Sequence, residues 1–164
     1  MMPDLLNTWL MLLQDSVLGE TVRNIQYLYP MLESIHILGI ALLVGPAFIF
    51  DLRLLGVGQR IVPVTTAAQC LLPISHIGLL IVAITGIALL SAQATIVAAA
   101  GAAPWKLDLI IVAGINVLVF HKGIYRTVAD WDIQAPVPVL AKVSALISAL
   151  AWTGVIIAGR FLAY

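Results

Sequence analysis

Four long apolar runs alternate with shorter polar stretches along the chain. The first covers about residues 31–55 and follows Tyr27, Tyr29 and Pro30. Proline is tolerated in the first turn of a helix, and tyrosines suit a membrane interface. The second, PISHIGLLIVAITGIALLSAQ, covers about 73–93; the third runs from Trp105 to about 122; the fourth covers about 138–162. Each approaches the ~20 residues that carry a helix across the hydrocarbon core. Pro46, inside the first run, predicts a kink because its ring meets the carbonyl of Leu42 four residues earlier.

Ahead of the first run, MMPDLLNTWLMLLQDSVLGE places Leu5, Leu6, Trp9, Leu10, Leu13 and Val17 at helical spacing, with Asn7, Gln14 and Asp15 elsewhere. That pattern predicts an amphipathic helix over residues 1–19 lying in the headgroup region, ended by Gly19. Asp4 and the absence of a basic opening or a small-residue cleavage site argue against a secretory signal. GVGQRIVPVTTAAQ reads as a connector and ATIVAAAGAAP as a short interfacial helix. GIYRTVADWDIQAPVP, polar and proline-containing, reads as lying outside the bilayer.

Composition strengthens this picture. Of 164 residues, 62% are hydrophobic and 10% charged, the net charge is zero, and the mean hydropathy is +1.10. Soluble domains carry roughly 25% charged residues, so this chain has too few charges to face water all round. The balanced charge offers no basic face for nucleic acid. Cys70 is the single cysteine, which excludes an internal disulfide and reads as a small apolar filler. The expected architecture is an all-α integral membrane protein, a four-transmembrane-helix bundle preceded by the amphipathic helix, forming one membrane domain. Its small residues, among them Gly39, Gly78, Gly114 and Gly159, let helices approach closely in lipid.

Four spans place both termini on one side. Arg23, Lys106 and Arg160 lie there, against Arg53, Arg60, Lys122, Arg126 and Lys142 on the other. The positive-inside rule then favours the other side as cytoplasmic, with the termini across the membrane from it.

The three histidines sort by depth. His76, in the first turn of the second span, and His121, at the end of the third, fall on the side away from the termini. Two imidazoles on facing helices at one depth are what a six-coordinate haem b requires. The competing reading makes both of them solvated boundary residues. His36 opens the first span on the termini side, ~22 Å from Asp51 at ~1.5 Å per residue, and cannot join that pair. Glu33, one turn before His36, makes an E-x-x-H pair that suits metal ligation or proton transfer, although di-metal bundles use it twice. Lys106, Asp108 and Arg160 gather at the same level, so Glu33 paired with Arg160 or Lys106 is the bland alternative. On the other side, Asp51 and Arg53 read as a boundary network, with Asp51 pairing with Lys122, Arg126 or Lys142. Asn116, mid-span, reads as a hydrogen-bonding residue toward a neighbouring helix.

LYP-x-LE-x-x-HILGIALLVG followed by DLRLLG resembles the opening of a family of small bacterial four-helix inner-membrane proteins of unknown function. The resemblance extends to Thr85-Gly86, to Trp105-Lys106-Leu107, to N-x-x-x-FH from Asn116 to His121, and to the ending from Ser148 to Tyr164. It implies a four-helix membrane protein with no established activity. At fold level the arrangement is also similar to four-helix b-type cytochromes and copper-resistance membrane proteins.

The sequence contains no nucleophile–His–carboxylate pattern, P-loop or dinucleotide fingerprint. The expected function is therefore membrane electron transfer of b-type cytochrome character, with haem b held by His76 and His121. Quinone or another membrane or periplasmic protein is the expected partner, and an oligomer is compatible with the small-residue faces. Two alternatives stand beside it. One is metal handling or transport at Glu33 and His36, with a transition metal such as copper. The other is a non-catalytic accessory subunit of a larger membrane complex, with no cofactor.

Overall fold

The computed structural model describes residues 2–133 and 135–162, without the side chains of Met2, Pro3, Asp4 and Leu6. Leu6 of the amphipathic pattern and Ala163 and Tyr164 of the closing motif therefore lie outside the described side chains. The described residues form seven α-helices: α1 (Met2–Gln14), α2 (Val17–Asn24), α3 (Leu28–Leu55), α4 (Val64–Ala92), α5 (Ala94–Ala99), α6 (Ala102–Lys122) and α7 (Val139–Phe161). A 3-10 segment, Ile124–Asp130, follows α6. α3, α4, α6 and α7 are long and apolar enough to cross a bilayer, so the chain is a multi-pass membrane protein in contact with lipid.

The opening helix of the sequence reading is two helices. Ser16 breaks the run by capping α2, its hydroxyl accepting from the Gly19 N–H at 3.2 Å. Gly19 therefore lies inside α2 rather than at an end. A Cβ there would stand 2.6 Å from the Ser91 carbonyl oxygen, so the glycine lets α2 press against the end of α4. Arg23 completes that contact by donating to the Ala92 carbonyl at 3.1 Å, one of the carbonyls a helix end leaves unpaired. α5 is the short helix expected from ATIVAAA, and the Gln14 side chain caps it by accepting from the Thr95 N–H and hydroxyl.

α3 runs unbroken through Pro46 and stops at Gly56, whose φ of 114° lets its N–H turn back onto the Leu52 and Arg53 carbonyls. α4 is the main departure. It begins at Val64, not near residue 73, so Pro73 falls inside the helix and Pro63 precedes its first residue. The threonines and glutamine of VTTAAQ suggested a connector. They are held in a helical turn because Asp132, from the α6–α7 connection, caps it: its carboxylate accepts from the Thr65 N–H at 2.9 Å and the Thr65 hydroxyl at 2.8 Å.

The spans pack in the order α4, α3, α7, α6, with α4 and α6 at the outer positions. α3 and α4 meet most closely at Gly78, where a Cβ would stand 2.3 Å from the Leu43 nitrogen. Ser75 donates to the Leu43 carbonyl at 2.9 Å beside it. α6 and α7 are clamped by Asn116 and Ser144, the Asn116 amide donating to the Ser144 carbonyl at 3.0 Å and the Ser144 hydroxyl to the Asn116 side-chain oxygen at 2.9 Å. Asn116 thus does what its mid-span position suggested. The main core lies at the α3–α4 loop end, where Phe50, Leu54, Val64, Phe120, Trp131 and Ala141 are buried together.

Candidate functional site

His36 is half-buried on α3 and reaches across to α4. Its Nδ1 lies 2.8 Å from Thr85 Oγ1. The Thr85 hydroxyl donates its own proton back to the Ile81 carbonyl at 2.6 Å, so its oxygen can only accept from the imidazole. The Val82 carbonyl, another pure acceptor, also approaches the ring. Nδ1 therefore carries the hydrogen, and the lone pair of the neutral ring sits on Nε2. Gly86 makes room for the ring: a Cβ there would stand 3.2 Å from His36 Cε1. Lys106, half-buried on α6, extends its Nζ over Gly159 of α7, and its charge acts on His36.

His121 shows the same polarity by a simpler route. Its Nδ1 is 2.9 Å from the Val117 carbonyl, which cannot donate, so Nδ1 again carries the hydrogen. Nε2 is buried and has no hydrogen-bond partner. Phe120 and Tyr125 hold the ring, with centroids 5.2 Å and 5.7 Å away. Burial, and secondarily the negative charge of Asp132, push the Tyr125 hydroxyl above the ordinary tyrosine range, so it remains protonated at neutral pH.

The proposed partner of His121 is elsewhere. Because α4 starts at Val64, His76 lies twelve residues into the helix, and its neighbour Ser75 is level with Leu43. His121 follows Phe120, which packs edge-on against Phe50. Leu43 and Phe50 are separated by seven helical residues, so His76 lies about 10 Å deeper than His121 at ~1.5 Å rise per residue. His76 is also exposed, and its helix and that of His121 occupy opposite ends of the row. The structure does not bring the two together within one chain.

Glu33 is exposed on α3, and its charge acts on the Tyr29 hydroxyl. Asp108 is exposed near the start of α6. Arg160, in the last turn of α7, is partnered. Among the described residues, no group of three or more His, Cys, Asp and Glu side chains converges as a metal site would.

A model of a family of unknown function, DUF6644, matches residues 10–164. The chain belongs to this family. The DUF6644 match takes in both histidine environments and all four spans. Comparison with curated proteins and with solved structures returned no match.

At the α3–α4 loop end of this DUF6644 chain, Asp51 and Arg53 do not form the snorkelling boundary network read from the sequence. Both are buried, at 6% and 4% exposure, because they face the helix row rather than the headgroups. Arg53 donates from Nε to the Val62 carbonyl and from Nη2 to the carbonyls of Asp132 at 2.9 Å and Gln59 at 3.4 Å. It ties the α3–α4 loop to the α6–α7 connection, while Asp132 caps α4 from the same place. Partial burial alone would raise the Asp132 pKa. Hydrogen bonds from the Thr65 N–H and hydroxyl, and the nearby Arg53 charge, outweigh it and hold the carboxyl below the ordinary range. Thr85, the residue that orients His36, was visible in the sequence only as part of a Thr-Gly pair with no assigned role.

Proposed function

We propose that this protein is a membrane electron-transfer component of b-type cytochrome character in which His36 and His121, rather than His76 and His121, present the iron-binding nitrogens. The observation that supports it is the shared tautomer. In both rings an acceptor holds Nδ1–H and leaves the lone pair on Nε2, which in His121 is buried and without a hydrogen-bond partner. Metal-ligating histidines characteristically donate their other ring N–H to a carbonyl or similar acceptor, which fixes ring orientation and raises ligand basicity.

The two rings serve different levels. His36 is fourteen residues before Phe50 on α3, and Phe50 touches Phe120, so the two levels are about 20 Å apart at ~1.5 Å per residue. Each level receives one imidazole from this chain, which could supply one nitrogen ligand to a haem iron there. Haem held at these positions would supply one-electron transfer. The chain's own part is to hold each imidazole neutral, to orient Nε2, and to surround it with apolar helix faces. The Lys106 ammonium acts on His36 from the termini side, and a positive charge there would favour the reduced form of a centre held by His36.

On this reading electrons pass between quinone in the bilayer and a protein partner on the side of the termini. The excess of basic residues beside the α3–α4 and α6–α7 connections supports a bacterial inner membrane with those connections in the cytoplasm. The Glu33 and His36 metal site has less support, because Glu33 turns outward while His36 turns to Thr85.

Haem content of the purified protein tests the proposal. After expression with ample haem supply, a Soret band and reduced b-type bands at stoichiometric amounts are expected. A colourless protein that is folded by circular dichroism overturns it.

A further inference from the structure

Asp51 hydrogen-bonds to neither His36 Nδ1 nor His121 Nδ1, which are held by Thr85 and Val117. It lies four residues before the end of α3, is 6% exposed, and faces α7. Its carboxyl lies by the hydroxyl of Ser148, itself 7% exposed, while Oδ2 is buried with no hydrogen-bond partner. One turn away on α7, Ser144 exchanges two hydrogen bonds with Asn116 of α6. Polar groups thus cross three helices at this depth, and of Asp51, Ser148, Ser144 and Asn116 it is the Asp51 carboxyl that keeps a buried oxygen without a partner.

The charged and titratable groups on the surrounding elements leave Asp51 alone. Arg53, two residues on, is turned to the carbonyls of Val62, Gln59 and Asp132 through Nε and Nη2; its Nη1 is buried without a partner, and its charge does not act on Asp51. Lys122 on α6, Arg126 beyond it and Lys142 on α7 are exposed, and none acts on Asp51. His121 is anchored to its own helix, and His76 lies deeper on the outer face of α4. An ionised carboxylate in apolar surroundings without a counter-charge is strongly disfavoured, and such a group takes up a proton or holds a cation. A cation needs several oxygen ligands. Here the Ser144 and Asn116 oxygens are already engaged with each other, and Ser75 is engaged with Leu43. That leaves the carboxyl and one hydroxyl.

We propose that Asp51 is a proton-binding site within the membrane, its carboxyl held as the neutral acid against Ser148, with the proton exchanging at Oδ2. Uptake converts the carboxylate and one proton into the carboxylic acid, and release reverses it, with no other reactant.

Dicyclohexylcarbodiimide, an apolar reagent that attacks protonated carboxyls, tests this on the full-length protein in liposomes. Mass spectrometry is expected to find the adduct on Asp51 at neutral pH, with labelling falling as pH rises and unchanged by added sodium or potassium. Asp51→Asn loses the adduct, and in the infrared it loses the carbonyl band of a protonated carboxyl. Ser148→Ala keeps the adduct while shifting its pH profile, which shows that the site survives when its neighbour is changed. Protection by sodium or potassium overturns the proposal in favour of a cation site. Absence of both adduct and infrared band in the folded wild-type protein overturns it outright.

Discussion

Thr85 illustrates how one side chain sets the chemistry of another. Its hydroxyl has one proton, and that proton goes to the Ile81 carbonyl, so the His36 imidazole must donate. Thr85→Val keeps the shape and removes the acceptor. Unfolding of the purified protein in detergent is expected to show a loss of about 1 kcal/mol, the usual worth of an interhelical hydrogen bond in a membrane protein. Thr85→Ser is expected to retain stability, and an unchanged Thr85→Val protein would remove this role. Glycines separate in the same way. Gly78→Ala forces a Cβ onto the Leu43 backbone and is expected to cost about 1–3 kcal/mol, as overpacking does. Gly114→Ala meets nothing within 4 Å and is expected to be neutral or slightly stabilising. Neither the partner of His36 nor the burial of Asp51 was legible in the sequence. Spacing gives depth along a helix, but which neighbour a side chain faces depends on how the helices are arranged.

At the scale of elements, α4 depends on a cap from a distant loop. Asp132 holds the first turn of α4 through Thr65, and its carboxyl titrates below the ordinary range. A group with a lowered folded pKa contributes stability that is fully present above its unfolded pKa and is lost as pH falls through the folded value. Thermal unfolding over an acid pH series is therefore expected to show a decline below the ordinary aspartate range that is smaller in Asp132→Asn. Identical declines in both proteins would contradict the capping role. The sequence placed the four spans but misplaced the start of α4. VTTAAQ has no strong apolar periodicity, and two prolines, Pro63 and Pro73, offered competing starts. The cap that decides between them comes from sixty-seven residues further along the chain.

At the scale of the whole molecule, the order of the helices determines which residues can share a site. The His76–His121 pair assumed that consecutive spans are neighbours, whereas α3 and α7 lie between α4 and α6. Paired cysteines in a Cys70→Ser background test the order. Asn116→Cys with Ser144→Cys is expected to cross-link within one chain, and His76→Cys with His121→Cys is not; the reverse would contradict the arrangement. That four membrane helices would form was legible from apolar run lengths alone, because the bilayer imposes that length. Their lateral order was not legible, because lipid-facing and helix-facing positions are almost equally apolar in these sequences.

On the proposed reading, His36 and His121 bind haem iron and His76 does not. The visible spectrum of the purified protein and of its three single His→Ala variants, recorded oxidised and reduced, addresses this most directly. The expected result is a b-type spectrum that His76→Ala leaves intact, while His36→Ala and His121→Ala each remove a separate part of the absorbance. A spectrum lost with His76→Ala, or no haem absorbance in the folded wild-type protein, would contradict it.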